Sequence, residues 1–346
     1  MLKIAKAAAV LTALVMLASC GAKPEPANDD NKPLPEFTAL NDTVSGRKNV
    51  YIIIKNVDSS YWKTVLDGAG AGGDEFDCNV FGSGTYNETD WQGQQELIDK
   101  AIDAGADGII LAPDDSVKLA KTVEELYTSD MPIVLVDTTA NTDKYDICYM
   151  TDNLMAGQQA AEELIRQLHE SGSTDSDKLK VGMQVGATTS QTINERIAGF
   201  SRYWSENAPE NWEMIQDIKC NEGDINKAVQ CAEELFDEYS DIKGVFATNN
   251  GSTVGFAKVI AERQLKDVAV VGFDYSDEMA ALIKSEDFTA STMLQRQFDM
   301  SRLGVGSVMS IIGGEKPEVQ FIDTGVVVVN RSTLNDPEVV EMLEHS

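Results

Sequence analysis

The side chains of this chain that could do chemistry together recur at one kind of position, the first residues after a short apolar run. In "IIIKNVDSSYW", Ile52 to Trp62, three isoleucines are followed by Lys55 and then by Tyr61 and Trp62. Pro113 and Asp114 follow "GIILA", Asp137 and Thr138 follow "PIVLV", and Asp152 and Asn153 come just after "DICYM". Asn249 and Asn250 follow "GVFAT", and Asp274 and Tyr275 follow "VAVVGF". Carboxylates, amides and an ammonium supply hydrogen bonds of both senses, and aromatic rings supply a flat apolar surface. Together they suit the retention of a small polar molecule that has one apolar face. Tyr61 and Trp62 also admit a plainer reading, in which one ring plugs a core.

Catalysis is poorly supplied. The chain has two histidines, His169 and His345, too few for the usual histidine-based proton transfer. No G-x-S-x-G elbow, H-E-x-x-H pair or G-x-x-x-x-G-K-[ST] loop is present. Asp114 and Asp115 form a carboxylate pair, but amid so many acidic residues a solvated loop or a helix cap accounts for them. "GAGAGG", Gly68 to Gly73, matches the dinucleotide fingerprint, which binds pyrophosphate only when its first glycine turns directly out of a strand. Here the strand ends near Lys55 and the glycines fall late in the following helix, so they read as residues that let the helix lie close to the sheet. No cofactor is expected. Nor is a metal, because Cys78, Cys148, Cys220 and Cys231 form no CxxC or Cys/His spacing.

The elements that must place these residues are short apolar strands alternating with amphipathic helices from Asn49 onward, and the pattern repeats in the second half of the chain. That grammar predicts an α/β fold of two doubly wound, Rossmann-like parallel-sheet lobes. Open parallel sheets collect ligands outside the carboxyl ends of their strands, where the residues above stand. The late segments "ASTMLQRQFDMSRLGVGSVMSII" and "VQFIDTGVVVVN" have no partner strands of their own and are expected to complete the earlier lobes. The predicted division is 48–151 for the N-terminal lobe and 152–295 for the C-terminal lobe, with 296–322 returning to the first and 323–346 forming the hinge and the edge of the second. Several crossings make a hinge, not a loose linker.

Ahead of the lobes, Lys3 and Lys6 precede the apolar run "IAKAAAVLTALVMLASC", which reads as a secretory signal peptide over 1–19. "LASC" resembles the lipobox of bacterial lipoproteins, in which the cysteine, here Cys20, becomes the lipidated first residue. An ordinary secretory cleavage beside an incidental cysteine is the alternative. The stretch that follows, through "GAKPEPANDDNKPLPEF", is rich in Pro, Asn and Asp and reads as a flexible tether over 20–47. The net charge of −29 becomes more negative when the leader lysines leave, and such a field repels nucleic acid. In an exported chain a disulfide is permitted. Cys220 and Cys231 are the nearest pair, and closing that loop would contribute roughly 3 kcal/mol in the chain-entropy account.

The strand-end residues, taken with their surroundings, resemble the type I periplasmic binding proteins, in particular the group that includes the ribose-, arabinose- and galactose-binding proteins. The resemblance covers roughly Asn49 to Asn330 and rests on "DSSYWKTVLDGA", "AGADGIILAP", "PIVLVDT", "MTDNLMAGQQAAEEL", "NERIAGF", "GVFATNN", "VAVVGFD" and "STMLQ". It implies that Asp137 accepts sugar hydroxyls with Thr138 beside it, that Arg196 forks onto neighbouring ligand oxygens, and that Asn249, Asp274 and Gln295 hydrogen-bond the sugar. It gives Lys55 a ligand contact and places Tyr61 and Trp62 under the apolar face of the ring. A hydroxyl both donates and accepts, so carboxylates, amides and a guanidinium can satisfy each one, where leaving it unpaired would cost roughly 1 to 3 kcal/mol. Plainer roles remain open: Asp274 as a helix cap, Asn249 as a turn residue, Arg196 in a surface ion pair. The resemblance has one departure. Where many members offer a second aromatic from the other lobe, this chain has Gly223 in "CNEGDIN", and Tyr275 is the residue that could compensate.

The function this implies is a monomeric, membrane-anchored lipoprotein that binds a small sugar or polyol by hinge closure and delivers it to an ABC permease, without catalysis. A sensory lipoprotein serving a chemoreceptor or histidine kinase would use the same closure. An enzyme acting on a sugar or nucleotide lacks its phosphate loop and histidines. The effector domains of LacI-type repressors share the fold, but here an export signal stands where a DNA-binding headpiece would be.

Overall fold

The computed structural model describes residues 32–345. The signal peptide and Cys20 lie outside the described residues. The N-terminal lobe is built from β1 (Thr38–Ala39), β2 (Asn49–Ile54), α1 (Ser60–Glu75), β3 (Asn79–Gly84), α2 (Trp91–Asp103), β4 (Gly108–Leu111), α3 (Ala120–Thr128), β5 (Ile133–Val136) and β6 (Ile147–Met150). The C-terminal lobe begins with α4 (Asn153–Glu170), β7 (Leu179–Val185), α5 (Gln191–Asn207), β8 (Trp212–Met214), β9 (Lys219–Cys220) and α6 (Ile225–Glu238). It continues with β10 (Ile242–Ala247), α7 (Asn250–Arg263), β11 (Ala269–Phe273), α8 (Asp277–Lys284) and β12 (Thr289–Gln295). The chain ends with α9 (Gln297–Ile312), β13 (Phe321–Asp323), β14 (Val326–Val329) and α10 (Pro337–Leu343).

Strands such as β4 "GIIL" and β5 "IVLV" are buried along their whole length, as parallel strands covered on both faces must be. The first sheet has the order β1-β3-β2-β4-β5-β6-β13 and the second β14-β12-β11-β10-β7-β8, with β9 also on β7. Pairing is parallel except for β1 and β14. Each sheet is covered on both faces. Met300, Val305 and Val308 of α9 join Val65 of α1 on one side of the first, and Leu97, Ile98 and Val123 cover the other. Thus α9 belongs to the N-terminal lobe although its sequence follows the C-terminal one, and β13 and β14 fall in different sheets.

The chain therefore crosses between lobes at Met150 to Asn153, at Gln295 to Gln297 and at Asp323 to Val326. The first and third crossings are tied together. The amide of Thr324 donates to Met150 O (3.0 Å), that of Asp152 to Asp323 Oδ1 (2.9 Å), and Thr151 Oγ1 donates to Gly325 O (3.4 Å).

Two expectations change here. Residues 34–47 are not tether but fold onto the first lobe. Leu34, Phe37 and Leu40 pack on its core, β1 pairs with the otherwise open edge of β3, and Asn41 accepts from Val80 N while donating to Cys78 O. The proline-rich composition hid three apolar anchors, and an unpaired strand edge gave them a place to dock. The glycines of "GAGAGG" do lie within α1, but Gly68 and Gly72 face α9 and Gly70 faces Leu40, while Gly73 meets Asn41 and, in the sheet, Val80. A Cβ at Gly68 would sit 2.1 Å from Phe298 O and 2.6 Å from Ser301 Oγ, so glycine there sets the helix-to-helix distance. Among the described residues no helix is long and apolar enough to cross a membrane.

Candidate binding site between the lobes

Lys55, Tyr61, Trp62, Asp137, Arg196, Asn249, Asp274 and Gln295 all line one cleft between the two sheets' carboxyl ends. The cleft is narrow, with a volume of about 30 Å³, because the lobes touch around it. Thr192 Oγ1, on the C-terminal lobe, lies 2.9 Å from Thr138 Oγ1 and donates to Asp137 O at 2.9 Å. Thr139 Oγ1 donates to Gln191 Oε1 (2.6 Å), and Thr189 Oγ1 to Asp114 O (3.3 Å).

On the N-terminal wall, Lys55 leaves the end of β2 and donates from Nζ to Asp137 Oδ2 (3.0 Å) and Thr138 Oγ1 (2.5 Å). Thr138 also donates to Asp137 Oδ2 (2.7 Å). It stands behind the wall, not on it. Tyr61 and Trp62, in the first turn of α1, meet edge to face with centroids 4.9 Å apart. Tyr61 donates to Asp137 Oδ1 (2.7 Å), and the Lys55 ammonium sits 5.5 Å from the Trp62 ring centre. Both rings pack in the lobe core and both face the cleft, so plug and platform are one arrangement. Burial opposes ionisation of Asp137, yet Lys55, Arg196 and the two hydroxyls outweigh it and hold its carboxyl below the ordinary range. Burial, then the Asp137 charge, pushes the Tyr61 phenol well up, so it stays a donor.

On the C-terminal wall, Arg196 of α5 is buried and not in a surface ion pair. Its Nε donates to Asn153 Oδ1 (2.8 Å), Nη1 to Thr248 O (2.7 Å) and Nη2 to Gln295 Oε1 (2.8 Å), and its guanidinium lies 3.8 Å from the Phe273 ring centre. Asn153 and Gln295 stand at two of the crossings, so the arginine is held by the hinge itself. Gly157 of α4 permits this, since a Cβ there would lie 2.3 Å from Arg196 O. Gln295 passes the link on by donating from Nε2 to Asp274 Oδ1 (2.7 Å). Burial raises the Asp274 carboxyl to about 6, against the pull of Arg196 and Gln295. Asp274 is not a helix cap, for Ser276 caps α8. Asn249 does cap α7, accepting from Ser252 N and Oγ, and still lines the cleft.

Asn250, named from the sequence beside Asn249, shares the lining, as do Glu88, Ser59, Ser190 and Thr192, which were not singled out there. Glu88 follows β3, and Ser190 and Thr192 follow β7, so the strand-end rule carried to those two strands finds them. Asn250 stands beside Asn249, and its Nδ2 is buried without a hydrogen-bond partner among the described residues. Asp114 is buried, not solvated. It accepts from Thr85 Oγ1 (3.3 Å), and burial pushes its carboxyl well up. Asp115 caps the turn at Val117 and Lys118. Tyr275 packs on the C-terminal core and is not among the lining residues. No disulfide joins Cys220 to Cys231. Cys220 Sγ donates to Gly186 O (2.9 Å) and Cys231 Sγ points at Cys220 O (3.8 Å), so the two sulfurs are engaged separately. A larger hollow of about 230 Å³ beside the hinge is lined by Arg296, Asp299, Arg302 and Glu341, but its arginines are already paired with Glu338, Asp299 and Glu75.

Known proteins share this architecture. A family model described as a periplasmic binding protein domain matches residues 50–316. The D-ribose/D-allose-binding protein of Pseudomonas aeruginosa is 22% identical over 293 residues, covering 82% of this chain and 88% of its own. The ribose import binding protein of Bacillus subtilis is 24% identical over 66% of this chain and 70% of its own. Among solved structures, a carbohydrate transporter solute-binding protein from Agrobacterium radiobacter, in complex with D-arabinose, aligns with a TM-score of 0.81 at 26% identity, over 86% of this chain and 99% of that one. An ABC transporter solute-binding protein from Agrobacterium vitis with bound D-fucose aligns at 0.77 and 24%, over 84% and 98%. The matched family is one of binding proteins, not of enzymes, and this chain, with its two lobes and its strand-end cleft, belongs to the periplasmic binding protein domain family.

Proposed function

We propose that this chain is an extracytoplasmic solute-binding protein that captures a small sugar or polyol between its lobes and delivers it to an ABC import permease. The observation that carries this reading is the convergence of one aromatic wall, Tyr61 and Trp62, with hydrogen-bonding groups from both lobes on a single cleft. The relatives named for ribose and allose, and the structures holding D-arabinose and D-fucose, support the ligand class.

Each residue then has a role. The rings of Tyr61 and Trp62 cover the C–H face of the sugar and exclude water. Asp137 and Asp274 accept from hydroxyls, Lys55 steadies Asp137, and Asn249 and Gln295 complete the rim. Arg196 spends three of its five N–H groups on the protein and keeps two for ligand oxygens. The cleft is far smaller than the several hundred Å³ of ordinary ligand pockets, so a sugar enters an open form. Contacts to both lobes arise only on closing, which supplies the differential affinity that shifts the population. The permease reads the closed form.

The anchoring is part of the same proposal. Residues 1–19 direct export, Cys20 is lipidated, and the residues between it and Leu34 hold a monomeric binding unit near the membrane. Cys20→Ala should move the protein from the detergent phase to the aqueous phase in a detergent partition; an unchanged partition would remove the anchor. The central experiment is a thermal-shift screen against pentoses, hexoses and polyols. A millimolar dose of a micromolar ligand should add about 4 kcal/mol, and no shift with any of them would sink the sugar reading.

A further inference from the structure

The charged groups of the cleft do not balance, and Glu88 is the group left over. Lys55 is matched to Asp137 at 3.0 Å. Arg196 is joined to Asp274 through Gln295, which accepts from the guanidinium and donates to the carboxylate. Glu88 has no such counterpart. Among the described residues no cation lies within ion-pairing distance, and its side chain makes one hydrogen bond, accepting at Oε1 from Trp62 Nε1 (3.1 Å). Its second oxygen, Oε2, is unspent beside the cleft that Glu88 lines.

Glu88 also stands at the seam. It rises from the loop after β3 in the N-terminal lobe and meets Gly223 of the C-terminal lobe. A Cβ on Gly223 would lie 2.7 Å from Glu88 Cγ and 2.9 Å from its carboxyl carbon, and Gly223 has φ of +82°. A side chain there would be strained and would collide, so glycine leaves that end of the cleft to the carboxyl group. Tyr61 and Trp62 are the only aromatic residues in the lining, and both come from the N-terminal lobe, so across the seam from Glu88 the C-terminal lobe presents Gly223 and no ring. Burial raises the Glu88 carboxyl, with Lys55 and the Trp62 N–H pulling it down.

We propose that Glu88 is a specificity-determining residue whose free carboxylate oxygen accepts a hydrogen bond from the ligand and selects neutral or amine-bearing sugars over sugar acids. The inference rests on the sugar-binding reading above. An unpaired carboxylate in an enclosed site attracts a hydroxyl or ammonium donor and repels a second carboxylate.

The test is calorimetric titration of wild type, Glu88→Gln and Glu88→Asp with D-galactose, D-glucose and D-arabinose, with the corresponding acids D-galacturonate and D-glucuronate, and with D-galactosamine. Glutamine keeps the acceptor for Trp62 and removes the charge, and ligand-free melting reports whether each variant is folded. Wild type should favour a neutral sugar over its acid by at least about tenfold, and Glu88→Gln should weaken neutral binding by about tenfold and narrow that preference. Glu88→Asp, which keeps the charge, should still reject the acids. If wild type binds a neutral sugar and Glu88→Gln matches it within about twofold with the same preference, Glu88 loses this role while the sugar reading stands. If wild type binds neither this panel nor any pentose, hexose or polyol of the thermal-shift screen, the sugar reading falls and this proposal falls with it.

Discussion

Asp137 and Asp274 occupy equivalent positions in the two lobes: each is the first residue after a buried strand, each has a positive φ (+63° and +67°), and each donates its amide to the neighbouring strand, to Tyr149 O and Met293 O, both at 2.9 Å. The left-handed conformation is costly for most residues and tolerated best by Gly, Asn and Asp. Two lobes that repeat it at facing strand ends hold two carboxylates toward one cleft with little freedom. Their environments then separate them, Asp137 being held ionised beside Lys55 and Asp274 being raised to about 6.

Asp137→Asn keeps the shape and the tolerance for positive φ but leaves the Lys55 ammonium buried without its counter-ion. Removing one partner of a buried pair costs about 3 kcal/mol or more. Chemical denaturation without ligand should register that loss, and calorimetry should find sugar binding weakened at least tenfold. A variant with wild-type stability would mean that Lys55 finds relief elsewhere.

Asp274 makes stability depend on pH in a direction opposite to that of a salt-bridged carboxylate. Its folded value of about 6 lies above the unfolded one, so between about pH 4 and 6 the folded state holds more protons, and stability rises as pH falls through that window. Sugar affinity should move the other way, because a protonated Asp274 is a poorer acceptor. Asp274→Asn should flatten its share of the stability change; an identical pH slope in wild type and variant would assign the effect to Glu88 or Asp114.

Trp62 should report ligand. Its indole faces the cleft, touches Glu88 and lies under the Lys55 ammonium, so closure on a sugar changes its surroundings more than those of Trp204 or Trp212, which pack inside the C-terminal core. Ligand should shift or quench the emission, and Trp62→Phe should remove most of the response. A full response in that variant would place the platform at another ring.

Thr192→Val deletes the hydroxyl that joins the lobes at Thr138 and Asp137 O without touching the hinge. The open form should gain by about 1 kcal/mol, the usual net value of such a bond, and apparent affinity should fall several-fold. Small-angle scattering at subsaturating sugar should give a larger radius of gyration than wild type. Equal radii would show that this hydroxyl does not contribute to closure.

Much of this was legible in the chain itself. Apolar runs such as "IVLV" bury both faces of a parallel strand, so their pattern declares the sheet, and a parallel sheet puts its ligand groups just past the strands. That local rule located Lys55, Asp137, Asn249 and Asp274, and the family resemblance added Arg196 and Gln295. Sequence by itself thus determined two α/β lobes and a polar, aromatic rim, because strand periodicity and strand ends are properties of neighbours in the chain. Tertiary structure alone decided which groups pair: Asp137 with Lys55, Arg196 with Asn153 and Gln295, Glu88 with Trp62 and against Gly223. It also decided that residues 34–47 fold, that Asp114 is buried, that Tyr275 turns to the core and that Cys220 and Cys231 stay apart. Each of these is a contact between residues from separate parts of the fold, whose energy depends on burial and geometry that no local pattern carries.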